Sequence, residues 1–596
     1  MKKVSPGIIL RYYRAFLKFV GKKFYLYICI VFISTGFDGV GIALFVPLIQ
    51  QISSSGSGDN RMSAFMRALF AFFGLPYTIE VTLGSIVLIF TLKTIMRIFA
   101  GSYQYHLGAQ VTRNVRTHIT GLWRRMSFKY YIEKNIGHLL NVSTVEAAST
   151  TRAFLYFAWL FPRVLLILVY ITFVITINAW LALITACIGG GILLLLRTIT
   201  KKSHKVSTAI SQENSNTSST LMQILSHFKY LRATAGFPLL SRQLNSIFKK
   251  YAGLEARAGL LQSISFAMPE FTAAMFLSVM LYIYVVVLGR DPATVIVSLF
   301  FLYRLMTEIM LLQTQWQGFI TSCGGVDSVN NLIQELEANQ DPAVSAAYPG
   351  FNNHISLQNV NFSYGEHDIL FDIDLTIPKN SMIGIVGESG SGKSTLVDII
   401  TGVQKPSSGR VIVDGTALGE FDGDQYQEHI GYVTQENVMF NGDIRSNVSL
   451  WSAGEDDNEG NNKVLQALQD AYCIDFLNEN REGLNTPIGD RGIKLSGGQR
   501  QRVSIARELF KKPDLLLMDE ATSALDSDSE INIHRSIHAL KGKMTVILIA
   551  HRLSTIKECD MIYVLHKGRI TESGTYEELK NRPGSRFNHL VELQKL

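Results

Sequence analysis

Apolar residues come in long unbroken stretches over the first part of the chain and in short runs punctuated by glycine over the rest. The long stretches lie at 24–50, 82–107, 152–177, 179–199, 260–288 and 293–320. Each is long enough to cross a hydrocarbon layer of about 30 Å as a helix. An all-α membrane domain of six spans is therefore expected over residues 24–330. Ahead of it, residues 6–22 set Ile9, Tyr13, Phe16 and Val20 on one helical face and Arg11, Arg14 and Lys18 on another. An amphipathic helix within residues 1–23, lying on a membrane surface, fits that pattern. The cytosolic start of the first span is the other reading. No cleavable small-residue site follows, so the segment is expected to stay on the mature protein.

The polar intervals orient the spans. Segments 108–150 and 197–256 are rich in Arg and Lys, among them Arg113, Arg116, Arg124, Arg125, Lys201, Lys202 and Lys205, whereas 51–80 and 289–292 carry few. By the excess of cations on the cytosolic side, both termini are expected in the cytosol. The two basic segments are themselves helical in pattern, so the spans around them should run on beyond the bilayer and turn near 138–148 and 221–231. Around 331–353 the composition changes to a linker, with Gln-Asp-Pro-Ala-Val-Ser and Tyr-Pro-Gly-Phe-Asn-Asn. Over residues 354–596, β-rich runs alternate with helical ones, the order of an α/β sheet with its chemistry at the strand ends.

Composition agrees with a membrane protein: 47% of the 596 residues are hydrophobic and 18% charged. The net charge of +7 falls mainly beside apolar stretches, which argues for membrane topology and against nucleic-acid binding. The five cysteines, at 29, 187, 323, 473 and 559, show no paired spacing, so free thiols are expected. The acidic run Glu455 to Glu459 reads as a solvated loop.

Three motifs carry chemistry. Gly387-Glu388-Ser389-Gly390-Ser391-Gly392-Lys393-Ser394-Thr395 follows the apolar run Ile383–Val386 and opens a helical segment, the context of a phosphate-binding P-loop. Backbone amides there can cradle phosphates, Lys393 adds charge, and the Ser394 hydroxyl suits a Mg²⁺ ligand. Leu515–Met518 is a buried strand that delivers Asp519 and Glu520; the first suits the metal, the second a base that orients and deprotonates water. Ser496-Gly497-Gly498-Gln499 stands before another helix and brings small residues to phosphate at its N-terminus.

With Leu495 to Gln499 in place, residues 354–585 resemble the ABC ATPases in motifs and in their order. The resemblance implies that Tyr364 stacks on adenine, that Gln435 contacts Mg²⁺ and the attacking water, and that His551 touches the γ-phosphate. It implies that Ser523 to Asp526 crosses to a partner subunit, and that Thr486 to Gly492 faces the membrane helices, with Asp490 where exporters often have Glu. ATP is held in that family between the P-loop of one subunit and the signature of another. Since both halves are present here, a homodimer is expected, with a heterodimer open. The six spans ahead of the ATPase resemble the exporter half-transporters, which implies a domain-swapped dimer working by alternating access.

Ionisable residues at membrane depth bear on cargo: Asp38, Lys93, Arg97, Arg163, Glu270, Arg304 and Glu308. Such groups are costly in lipid unless used or paired. Either Arg97, Arg163 and Arg304 receive an anionic head group, or the carboxylates pair with them inside the bundle. Phe37–Pro47, Phe99–His106 and Leu302–Met306 loosely resemble bacterial flippases for lipid-linked oligosaccharides, which implies an amphipathic, lipid-linked substrate. The absence of organelle-targeting features makes a bacterial plasma (inner) membrane the expected location. Multidrug, lipid and peptide exporters share the scaffold and remain alternatives. An ATP-gated channel or regulator is a more distant one.

Overall fold

A computed structural model describes residues 6–44, 79–177, 179–282, 292–342, 344–454, 456–519, 527–550 and 552–593, with isolated positions between 68 and 78 and at 286. The chain divides into two compact units, Met1–Asp341 and Pro342–Leu596.

The first unit is helical: α1 (Pro6–Val20), α2 (Lys23–Ala43), α3 (Ile79–Trp123), α4 (Phe128–Glu133), α5 (Ile136–Asn141), α6 (Ala147–Ile177), α7 (Ala179–Ser226), α8 (Phe228–Ala233), α9 (Phe237–Tyr282) and α10 (Pro292–Ala338). Among the described residues, three stretches are apolar and long enough to cross a membrane, Lys23–Gly41, Ile79–Trp123 and Ile136–Ile175. Side chains 176–197 and 291–301, on which the fourth and sixth expected spans depend, lie outside the described residues, as do most of those at 269–291 in the fifth.

Three expectations need correction. The apolar face of α1 is Tyr12, Phe16, Phe19 and Val20, and it packs into the helical core beside Phe154, Phe157 and Phe319. Burying each large side chain there is worth about 2 kcal/mol, so protein rather than a membrane surface takes that face. The Tyr12 hydroxyl donates to Asp327 at 3.1 Å and Arg11 pairs with the same carboxylate. The helix α10 continues to Ala338, eight residues into the segment expected as linker, because Val329, Leu332, Ile333 and Leu336 still face the core. The second expected turn also begins late: α7 stays helical to Ser226, and the chain reverses through α8.

The first turn falls at α5 and a π-helical turn, Val142–Glu146. What holds α7 here is a ladder of serines four residues apart, 203, 207, 211, 215 and 219, which lie on one helical face. Ser203 accepts from Gln317, Ser207 donates to the Thr321 carbonyl, and Ser211 meets Ser328 at 2.9 Å, all on α10. Further along, Ser215 meets His138 at 2.8 Å and Ser219 accepts from Asn135, so the same stripe reaches α5. Glycine permits the approach: a Cβ on Gly324 would lie 2.8 Å from Ser207 Oγ, and one on Gly137 would overlap the Ser219 backbone.

The second unit is an α/β domain. Its strands are β1 (His354–Tyr364), β2 (His367–Pro378), β3 (Met382–Val386), β4 (Ser408–Val413), β5 (Thr416–Ala417), β6 (Ile430–Val433), β7 (Leu515–Asp519), β8 (Thr545–Ile549), β9 (Met561–His566) and β10 (Arg569–Gly574). Its helices are α11 (Lys393–Ile400), α12 (Gly423–Glu428), α13 (Ile444–Ser449), α14 (Asn458–Asp470), α15 (Ile474–Glu479), α16 (Gly497–Phe510), α17 (Ser527–Leu540), α18 (Tyr576–Asn581) and α19 (Arg586–Leu593). One sheet runs β10-β9-β3-β8-β7-β6, parallel apart from the β10 hairpin; the other is antiparallel, β2-β1-β4-β5. Strands β3, β7 and β8 are buried throughout, as expected of central parallel strands covered on both faces. Their C-terminal ends lie side by side, which is where such sheets place ligands.

Candidate nucleotide site and membrane cavity

The P-loop leaves β3 and enters α11 through Gly390 at φ +76° and Gly392 at φ +103°, conformations that favour glycine. A Cβ on Gly387 would overlap the Leu565 carbonyl, so the loop lies tight against β9. The β9–β10 hairpin braces it further: the Gly568 amide donates to the Ser391 carbonyl at 3.1 Å. Glu388, Ser389 and Gly390 are exposed, Ser394 stands exposed in the first turn of α11 and Thr395 is half-buried. Lys393 is buried, its ammonium donating to the Gly387 and Glu388 carbonyls at 2.9 Å each. Ser391 Oγ is buried and finds no hydrogen-bond partner among the described residues. An orphaned hydroxyl, a buried cation and a glycine-rich turn into a helix N-terminus suit a polyphosphate.

Asp519 ends β7, buried, two strands from β3 across β8. It acts on Asp398 of α11, whose carboxyl burial and that neighbouring charge push up to about 6. Gln435 is exposed two residues beyond β6, and Tyr364 ends β1 half-exposed, edge-on to Phe362 at 4.8 Å. Ser496 caps α16 in a reciprocal arrangement: its hydroxyl accepts from the Gln499 amide, and Gln499 Oε1 accepts from the Ser496 amide at 2.8 Å. Gly497 and Gly498 form the first turn. Glu520 and Ser523 to Asp526 follow β7, and His551 follows β8; all lie outside the described residues.

In the helical unit a cavity of about 190 Å³ opens among α2, α3, α6 and α10, lined by Lys93, Arg97, Arg163 and Arg304 against Asp38 and Glu308. Lys93 pairs with Asp38, and Arg163 with Glu308 at 2.8 Å. Arg163 also lies over the Trp159 ring, 5.6 Å from its centre. Pairing in the bundle and a cationic lining thus coexist. Arg163, expected as a head-group contact, is committed to Glu308 because a buried cation beside a carboxylate is otherwise costly. Arg97 is exposed to the cavity side of α3 with no ion-pair partner among the described residues, and Arg304 is half-buried. The side chain of Glu270 is outside the described residues.

A family model described as "ABC transporter" matches residues 370–523. The heterocyst differentiation ATP-binding protein HepA of Nostoc sp. is 27% identical over 563 residues, 94% of this chain and 92% of that protein. The alpha-haemolysin translocation ATP-binding protein HlyB of Escherichia coli is 40% identical over 299 residues, 49% of this chain and 41% of that protein. The chain therefore spans about two fifths of the length of such toxin-export relatives. A solved bacterial Atm1-family ABC exporter with ATP bound shares the fold, with TM-score 0.79 and 24% identity over 96% of this chain and 98% of that one. Residues 370–523 match the ABC transporter family, and the chain is similar to ABC transport proteins along almost its whole length. The matched domain and these likenesses support an exporter-type half-transporter, a multi-pass membrane protein whose ATPase domain binds ATP and couples its hydrolysis to transport.

Two further residues beside the nucleotide site are not signalled by a motif in the sequence. Asp398, half-buried beside Asp519, follows the P-loop by three residues in an ordinary helical pattern. Arg507 of α16 is buried, its guanidinium donating to the Val438 carbonyl at 2.7 Å, the Asn447 carbonyl at 2.6 Å and Asn447 Oδ1 at 3.0 Å. Its one sequence signal is a cation set among small and apolar residues, Val503 to Ala506, inside a helix.

Proposed function

We propose that two copies of this chain export or flip an amphipathic, anionic lipid-linked substrate, such as a lipid-linked oligosaccharide, across a bacterial inner membrane, with the ATPase domain and both termini in the cytosol. The observation that carries the cargo class is the cavity, where among the described residues four cations and two carboxylates share the lining. Charges at membrane depth are retained where they are used. Arg97 takes the anionic head group in this reading, with Arg304 beside it in the lining, while the Arg163–Glu308 and Lys93–Asp38 pairs hold that lining in shape.

ATP binds with its phosphates in the amides of Gly387 to Thr395 and its adenine on Tyr364; Lys393 exchanges the loop carbonyls for phosphate oxygens. Ser496, Gly497, Gly498 and Gln499 of the second copy close the site from the other side. Ser394, Asp519 and Gln435 would hold Mg²⁺, which neutralises developing charge on the phosphates. Glu520 orients and deprotonates the attacking water, and His551 contacts the γ-phosphate. Closure of the two sites turns the cavity outward and hydrolysis resets it, a two-state cycle.

The test is ATP hydrolysis by the purified chain in lipid nanodiscs, with polyprenyl-pyrophosphate-linked oligosaccharide, a phospholipid series or amphipathic drugs added. Selective stimulation by the glycolipid that is lost in Arg97→Ala supports the reading. Stimulation by drugs or phospholipids alone overturns the cargo and leaves a general exporter.

A further inference from the structure

Two neighbouring side chains of α16 grip the backbone on either side of Gln435. On the near side Glu508, buried, accepts from the Tyr432 amide at 3.3 Å, three residues before Gln435. On the far side Arg507 holds Val438, three residues after it, and Asn447. Asn447 is wholly buried and spreads the grip: Oδ1 accepts from the Phe440 amide at 2.9 Å, and Nδ2 donates to the Phe440 and Asp443 carbonyls. The Phe440 ring lies under the guanidinium, 5.3 Å from its centre to Cζ. Between the two grips lie 433–437, of which Val433 still belongs to β6, and Gln435 and Glu436 are exposed.

The chemistry of Arg507 is unusual for a buried cation, since its hydrogen bonds among the described residues all go to neutral oxygens, of Val438 in the loop after β6 and of Asn447 on α13. Apolar side chains of similar size often cost less in such a place, and specific conformation is the attested reason for keeping a charge. A planar fork of donors fixes several carbonyls in one geometry. The helix that carries this fork starts at Ser496 and runs 14 residues, a rigid rod of about 21 Å. A shift of the Ser496 end is therefore passed to both sides of the Gln435 segment together.

We propose that Arg507 and Glu508 are positioning residues for hydrolysis: they tie the Gln435 segment to α16, so that Gln435 reaches its working place when the Ser496 end of the helix engages phosphate. This rests on the reading of Gln435 as a contact of Mg²⁺ and water. Neither residue touches ATP in this scheme, so affinity and turnover should separate.

The test uses the full-length chain in nanodiscs, with Gln435→Ala, Arg507→Lys and the double variant, reading kcat for ATP hydrolysis and ATP affinity by equilibrium titration. Arg507→Lys keeps the charge but loses the fork. It is expected to lower kcat by about tenfold with ATP affinity within about twofold of wild type. Adding it to Gln435→Ala should cost nothing further, because both changes remove one function. Additive losses, or loss of ATP affinity and thermal stability together with kcat, would show a merely structural role and overturn the proposal while the Gln435 reading stands. Unchanged kcat in Gln435→Ala would remove that reading and the proposal with it. Should Arg507→Lys not fold, Glu508→Ala, which frees the near side alone, is subject to the same cycle and the same outcomes.

Discussion

The P-loop and the α7 seam are built from the same two residue types, glycine and serine, and use them in opposite ways. In the P-loop, Gly390 and Gly392 take left-handed conformations, and the Ser391 hydroxyl finds no partner among the described residues. The loop thereby keeps polar groups unspent for a ligand. In the seam, Gly324 and Gly137 are helical and let backbones approach, while the serines spend their hydroxyls on α10 and α5. Identical composition thus makes a binding site where the backbone is bent and a close-packed joint where it is regular.

The contrast can be broken at either end. The largest effect belongs to the P-loop: Lys393→Ala should abolish ATP binding in an equilibrium titration, a loss of about a hundredfold or more in affinity, with the melting temperature little changed. Next comes the joint, where Gly324→Val puts a branched side chain against Ser207 and should destabilise the helical unit by about 1–3 kcal/mol, read as a lower melting temperature in detergent, without altering ATP affinity. Ser207→Ala removes a donor to the Thr321 carbonyl and an acceptor for the Gly324 amide and should cost about 1 kcal/mol by the same measurement.

The smallest effect depends on pH. Partial burial pushes the Glu572 carboxyl up, but the Arg586 amide, the Ser585 hydroxyl and the Phe587 amide outweigh it and hold it below the ordinary 4.5. Its stabilisation of the α19 start is therefore complete above pH 4.5 and lost as pH falls through the depressed folded value. Glu572→Gln should flatten that acid slope, seen in melting temperatures between pH 3 and 6.

How far the sequence shows these features follows from how local they are. The P-loop and the Ser496 cap are contiguous motifs whose geometry is set by their own residues, so their spacing is enough. The serine ladder is visible as a spacing, but its meaning rests on Gln317, Ser328 and His138, which are remote in the chain. The charges in the cavity were legible one by one; that Glu308 belongs to Arg163, 145 residues away, was not. The α1 helix showed an amphipathic face but not what would cover it, since lipid and a packed aromatic core select the same residues. Arg507 was hidden for the opposite reason: the chain around it reads as a plain helix, and only the fold brings Val438 and Asn447 to it.

The measurement that bears most directly on the account is ATP turnover by the purified wild-type chain beside Glu520→Gln, with ATP binding followed in both. The account predicts that Glu520→Gln binds ATP as tightly as wild type and accumulates a nucleotide-closed dimer, while turnover falls by about a thousandfold. Turnover at the wild-type rate in Glu520→Gln would contradict it.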